Sequence, residues 1–218
     1  MEGYCVIKCK LTYVTDLLGS ACNDPDLHGS YIASLAPDAR SRKEEVEAVG
    51  IDEVIERGMT VFPRTKDNKP FIYDYHVKGF FKDSTAALKK IKGTKASKVK
   101  AYKKEIDGLV FVYPRQIMLK MAGAMGENQR MLRAATPIGE RIGIAHSESA
   151  PAGTSVELDI ECLTADMYEL VRECLDYGIK RGMGQWRNAG WGRFKWEEVE
   201  VVDWDEYWDR AKSGGIAD

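Results

Sequence analysis

Residues 182–194 read GMGQWRNAGWGRF, a stretch that concentrates the residue types suited to holding a phosphate: Arg187 and Arg193 set among Gly182, Gly184, Gly190 and Gly192. Glycine lets a backbone come close to a ligand, and arginine presents paired donors in a planar fork that matches phosphate oxygens. A Rossmann or P-loop turn is a different object, because there the glycines follow a strand and open a helix whose N-terminal amides receive the phosphate. Here a helical pattern precedes the glycines, so the loop leaves a helix C-terminus, where the partial charge is negative. Dinucleotide and Walker-type binding are set aside on that ground. The competing reading is a tight turn in which Trp186 and Trp191 pack on a sheet and the two arginines pair with Glu197 or Glu198.

A second concentration of charge lies upstream. Lys78 to Lys104 holds ten lysines, beginning with Lys78 and Lys82, against the single acid Asp83, whereas Glu197 to Asp209 holds seven acids and no base. The formal net charge of −2 conceals this asymmetry. The basic run is either a solvated face or an electrostatic footprint for phosphates. Among groups that could do chemistry, His76 and His146 stand isolated and are assigned none. Asp24 and Asp26 could join Asp16 around a divalent cation, but Asn23-Asp24-Pro25-Asp26 reads better as a turn, and no ligand spacing supports a metal. No cofactor is expected. The five cysteines form no C-x-x-C pair and read as reduced, mostly core thiols. Met118, Met121, Met125 and Met131 read as core packing rather than as a contact surface.

The elements that must position these residues are clearest at the two ends of the chain. Cys5 to Tyr13 alternates Cys5, Ile7, Cys9, Leu11 and Tyr13 with Lys8, Lys10 and Thr12, the pattern of a half-buried strand. Thr154 to Leu163 alternates in the same way. Thr164 then caps a helix carrying Met167, Leu170, Val171, Cys174 and Leu175 at helical spacing, which ends near Gly178 to Gly182. The glycine loop follows, and Phe194 to Val202 is the next strand. Between the ends, residues 42–57 read as a helix, Thr60 to Phe62 and Phe71 to Tyr73 as short extended pieces, and a helix begins after Gly79. Leu109 to Tyr113 and Gln116 to Met121 read as strands. Gly126 to Gly153 is expected to hold a strand or two among loops, Ile142 to Ala145 foremost, with Ser147 to Gly153 as a linker.

At 218 residues, 44% hydrophobic and 30% charged, the chain has the composition of a soluble globular protein. No window approaches the roughly twenty apolar residues that span a bilayer, and a cytoplasmic location with no membrane partner is expected.

Strand, helix, basic glycine loop, strand resembles the signature of the RAMP superfamily of CRISPR-associated RNA-binding proteins. Three further stretches match in the family's order. Leu17-Leu18-Gly19-Ser20 is similar to its apolar-apolar-Gly-Ser turn. Lys69 to Gly79, KPFIYDYHVKG, resembles its Pro-containing segment ending in Lys-Gly, with Pro70, Lys78 and Gly79 kept and His76 where a serine is usual. Arg133 to Thr136 followed by Glu148 to Thr154 is similar to the stretch before the last strand and helix in the crRNA-binding backbone subunits.

The resemblance implies an α+β fold with a ferredoxin-like (RRM-like) core: an antiparallel sheet with helices on one face, elaborated by insertions. It implies one domain over 1–218, with an inserted helical segment at about 22–58 and an acidic tail at about 203–218. It implies binding of single-stranded, crRNA-like RNA through Ser20, Lys78, Gly79, Arg187, Gly190, Gly192 and Arg193, to which the lysine run adds Lys82, beside copies of itself or other subunits of a CRISPR effector used in antiviral defence. Some backbone subunits cut RNA with an acid near the place held here by Gly58, so that acid is missing. The family's processing endoribonucleases use a histidine after the first strand. His28 stands at a comparable place and is the candidate general acid or base if the chain is an enzyme. A third reading is a stand-alone, phage-borne protein that interferes with a defence complex or sequesters a nucleotide.

Overall fold

The computed structural model describes residues 5–22, 59–136 and 139–214. Strand β1 (Cys5–Tyr13) buries Ile7, Cys9, Leu11 and Tyr13 on one face and turns Lys8 and Lys10 to the other, as its alternation requires. It leads into the short strands β2 (Leu17–Leu18), β3 (Ala21–Cys22), β4 (Thr60–Val61) and β5 (Phe71–Tyr73). Helix α1 (Asp74–Leu88), helix α2 (Tyr102–Leu109) and strand β6 (Val110–Tyr113) follow. Next come β7 (Gln116–Met118), β8 (Gly126–Thr136) and β9 (Gly139–Ala150). The chain closes with β10 (Ser155–Cys162), α3 (Ala165–Arg181), β11 (Phe194–Asp203) and α4 (Trp204–Gly214).

Four strands pair antiparallel in the order β11-β1-β10-β6. With α1 between β1 and β6, and α3 between β10 and β11, this is the βαββαβ ferredoxin-like arrangement, in which the first strand lies between the fourth and the third. Phe80, Phe81 and Leu88 of α1 and Met167, Leu170, Val171 and Leu175 of α3 bury against one face of the sheet. Phe194 is fully buried at their meeting point, edge-on to Phe80 at 5.0 Å between ring centres. Burial of each such side chain stabilises the fold by about 1.5–3 kcal/mol. Gly178 makes room for this ring, since a Cβ there would strike Phe194.

The described parts of two insertions, residues 14–22 with 59–73 and residues 114–154, fold onto one another. β9 pairs with β2 through Leu17↔Ala150 and Leu18↔Ser149, and runs parallel to β4 at Thr60↔Ser147, while β5 pairs with β7. β8 and β9 form one long hairpin from Gly126↔Ser149 to Thr136↔Gly139. The expected linker at Ser147 to Gly153 is therefore corrected: Ser147, Ser149 and Ala150 are buried strand residues. β8 fills one edge of β9 at these residues and β2 and β4 lie along the other, and the Ser147 hydroxyl accepts a bond from Thr60 Oγ1 at 2.8 Å. Helix α1 also begins earlier than expected, at Asp74, so Gly79 lies inside it. The Tyr73 amide is satisfied by the His76 ring, which turns the chain into the helix six residues sooner. Met121 and Met125 pack on the core as expected, but Met131 is 67% exposed, because it lies in the hairpin that projects beyond the sheet.

Thr164 Oγ1 accepts the Met167 amide at 3.3 Å and caps α3. Cys9, Cys162 and Cys174 are buried free thiols and Cys5 a half-buried one. The helix expected at 42–57, with most of the inserted segment 22–58, lies outside the described residues. No described helix is long and apolar enough to cross a membrane.

Candidate nucleic-acid interface

The glycine loop is clasped at its two ends. Helix α3 ends in Gly182, at φ 74°, where a side chain would meet the Trp191 carbonyl. The Met183 amide donates to the Gly192 carbonyl at 2.8 Å, and the Gly192 amide donates to the Asp16 carbonyl at 2.9 Å. Gly192 has φ 67°, and any Cβ there would lie against the Met183 carbonyl oxygen. Thr15 ties the loop to the end of β1: its hydroxyl donates to the Gly190 carbonyl at 3.0 Å and accepts the Arg193 amide at 2.9 Å. The Asp16 carboxylate accepts the Ala152 amide at 2.9 Å, so this acid braces the turn between β9 and β10. No metal-binding cluster occurs among the described residues.

The arginines do not pair with Glu197 or Glu198; that expectation is corrected. Arg187 Nη1 lies 3.1 Å from Asp83 Oδ2 on α1, and Arg181 grips the same carboxylate through Nε at 2.6 Å and Nη2 at 3.1 Å. The hydrogen bond from Arg181 holds the Asp83 carboxyl below its ordinary range, with the Arg187 charge adding to it. Two guanidinium groups on one carboxylate leave one positive charge in excess. Arg193 Nε is buried without a hydrogen-bond partner.

Ser20 meets His76, which lies on the same stripe of α1 as Asp83. Tyr73 N–H donates to His76 Nδ1 at 3.2 Å, so the ring proton resides on Nε2, which donates to Ser20 Oγ at 3.0 Å. Burial lowers the His76 pKa and keeps the ring neutral. The Ser20 hydroxyl thereby keeps its own proton for another acceptor. His76 was assigned no chemistry from sequence; its part here is to orient Ser20.

Lys78 and Lys82 point elsewhere. At about 100° per residue they lie roughly 120° around α1 from His76 and Asp83. Lys82 Nζ pairs with Asp107 at 2.5 Å, and Lys78 Nζ donates to the Asp107 carbonyl at 3.3 Å and lies 4.8 Å over the Phe111 ring. Gly79 sits on the exposed arc between the two stripes, with nothing within 4 Å of a Cβ built there. Arg187, Gly190, Gly192 and Arg193 thus lie in one loop, Ser20 reaches the stripe of α1 that carries Asp83, and Lys78 and Lys82 lie around the helix from that stripe. His28, Asp24, Asp26 and Gly58 lie outside the described residues.

Sequence reading missed Arg130. It projects from β8 onto the glycine loop, with the guanidinium 3.6 Å from the centre of the Trp186 ring and Nη2 3.4 Å from Gln185 Oε1. Its Nε and Nη1, and the neighbouring Asn128 Oδ1, are buried without partners. The signal available was an arginine at every third residue in Arg130-Met-Leu-Arg133, which says nothing until the hairpin is known to reach the loop. His146 is 8% exposed and bonds Glu127 through Nε2 at 3.0 Å.

The open face of the sheet, which RRM-type proteins use to stack bases, is covered here. Asp159 accepts the Tyr207 hydroxyl at 3.0 Å, Glu161 accepts the Tyr113 hydroxyl at 3.1 Å and the Trp204 indole N–H, and Lys8 pairs with Glu200 at 3.3 Å. Tyr207, Trp204 and Trp208 belong to α4, so the acidic tail packs as a helix against this face rather than over the lysine run. Buried carboxylates and a helical cover make it a poor surface for phosphates.

No family model matches the sequence, and no curated protein matches it. Among solved structures, a chain in the cryo-EM structure of the Type III-B Cmr-beta bound to cognate target RNA superposes with a TM-score of 0.52 at 13% identity. The match covers 92% of this chain, which spans 61% of that one. The fold is α+β and consistent with the ferredoxin-like core that the sequence resemblance implies.

Proposed function

We propose that this chain binds single-stranded RNA without cutting it, as a RAMP-type backbone subunit beside other subunits of a CRISPR-like effector. The observation that carries the reading is the excess of guanidinium groups at the glycine loop: Arg181 and Arg187 share the single carboxylate of Asp83, Arg130 lies against Trp186, and Arg193 Nε is buried with no partner among the described residues. Arginine in that state favours phosphate oxygens. Ser20, with a hydroxyl proton to give, and the close backbone approach allowed by Gly190 extend the same surface. The acidic, covered sheet face argues against the alternative location. The structural neighbour belongs to an assembly bound to target RNA, which supports the assignment of RNA as the ligand.

Fluorescence anisotropy of a labelled single-stranded oligoribonucleotide tests it. Three neutralised phosphates give a log–log salt slope of about −2, and Arg187→Ala reduces that slope by about 0.7 while costing about 1–3 kcal/mol. Salt-independent binding, or unchanged affinity in Arg187→Ala, contradicts the assignment. The labelled RNA stays intact on incubation; cleavage that disappears in His28→Ala would overturn the non-catalytic reading.

A further inference from the structure

Arg130 is a guanidinium with five N–H donors; among the described residues Nε and Nη1 are buried without a partner, and Nη2 has the 3.4 Å bond to Gln185. The indole of Trp186 covers it. Partial burial lowers its pKa. Trp186 holds this position with a left-handed backbone, φ 56° and ψ 30°, which a bulky residue adopts only under strain. The segment bearing it is short and pinned on both sides: Met183 by its bond to Gly192, Arg187 by Asp83. Between the pins, Gly184 at φ 80° supplies a joint about which the indole can move.

We propose that Arg130 is a phosphate-binding residue kept covered by Trp186, and that a phosphodiester group of single-stranded RNA displaces the indole. The covered state has two costs, a strained backbone and unsatisfied donors, offset by the cation–π contact. An incoming phosphate removes both costs: it pairs with Nε and Nη1, and Trp186 relaxes toward extended backbone. The freed indole then stacks on a base of the same strand, a contact indifferent to sequence. Arg130 and Trp186 alternate between each other and the ligand, so the hairpin and the glycine loop become one site only when RNA arrives.

This inference rests on the RNA reading, and stopped-flow binding of a labelled oligouridylate to the full chain separates the two. In the wild type the observed rate levels off at high RNA concentration, because opening of the indole becomes limiting. In Trp186→Ala it rises linearly with RNA. Arg130→Ala weakens binding about tenfold, and Arg130→Lys recovers only part, since a point charge lacks the fork. Thermal melts confirm that the variants fold, with Arg130→Gln replacing Arg130→Ala if the latter does not. Wild-type affinity in the Arg130 variants, or the same plateau in Trp186→Ala, overturns the covered site while leaving RNA binding intact. If the wild type binds no RNA, the RNA reading falls. Inorganic pyrophosphate is then the probe, and a change in tryptophan fluorescence absent from Trp186→Phe upholds the covered anion site, whereas no change overturns it.

Discussion

At the scale of single residues, glycines that look alike in sequence play opposite parts. Gly192 has a positive φ and no room for a Cβ beside the Met183 carbonyl. Gly192→Ala is expected to cost about 3 kcal/mol or more, read as a large fall in melting temperature. Gly79 lies in a helix with empty space around it, where alanine is favoured by about 1 kcal/mol. Gly79→Ala should therefore melt higher than the wild type and bind RNA more weakly. Equal RNA affinity would show that Gly79 meets no ligand. His76 gives a pH dependence of definite sign. Its folded pKa is below the ordinary 6.5, so above that value both states are neutral and its stabilising contribution is complete. As the pH falls from about 6.5 toward the lower folded value, the unfolded chain takes up the proton first and stability is lost. Denaturant melts at pH 7.5 and 5.5 should show a larger loss for the wild type than for His76→Gln.

At the scale of elements, sequence was most legible where one face is buried and the other wet. β1, β10, α3 and β11 follow their alternation or helical spacing to within a residue or two, because burial against one sheet leaves a regular record. The hairpin β8–β9 left a fainter record: Ile142 to Ala145 read as a strand, but Ser147, Ser149 and Ala150 are set by pairing with β2 and β4, and Arg130 by the glycine loop, contacts distant in sequence. The same reason hid Arg130 and made Ser147 to Gly153 look like a linker. The acidic tail was legible in charge but not in position, since its role depends on Tyr207 and Trp204 finding Asp159 and Glu161 across the sheet. Tyr207→Phe removes one of these bonds and is expected to lower stability by about 1 kcal/mol in urea titrations, with RNA affinity unchanged. A change in RNA affinity would place the ligand on the open face instead.

At the scale of the whole molecule, a ferredoxin-like core carries two insertions that pair with each other, and the glycine loop lies where they meet the core. The core's own open face is acidic and covered, whereas arginines gather at the glycine loop, so the molecule divides into a surface that repels phosphate and one that attracts it. Photocrosslinking of 4-thiouridine-labelled single-stranded RNA, with peptides mapped by mass spectrometry, tests that division directly. Crosslinks are expected within residues 182–194 and near Arg130, and none on the open-face residues Lys8, Phe111, which pairs with Glu161 across the sheet, or Tyr113. Crosslinks concentrated on those three residues, or none to the glycine loop, would contradict it.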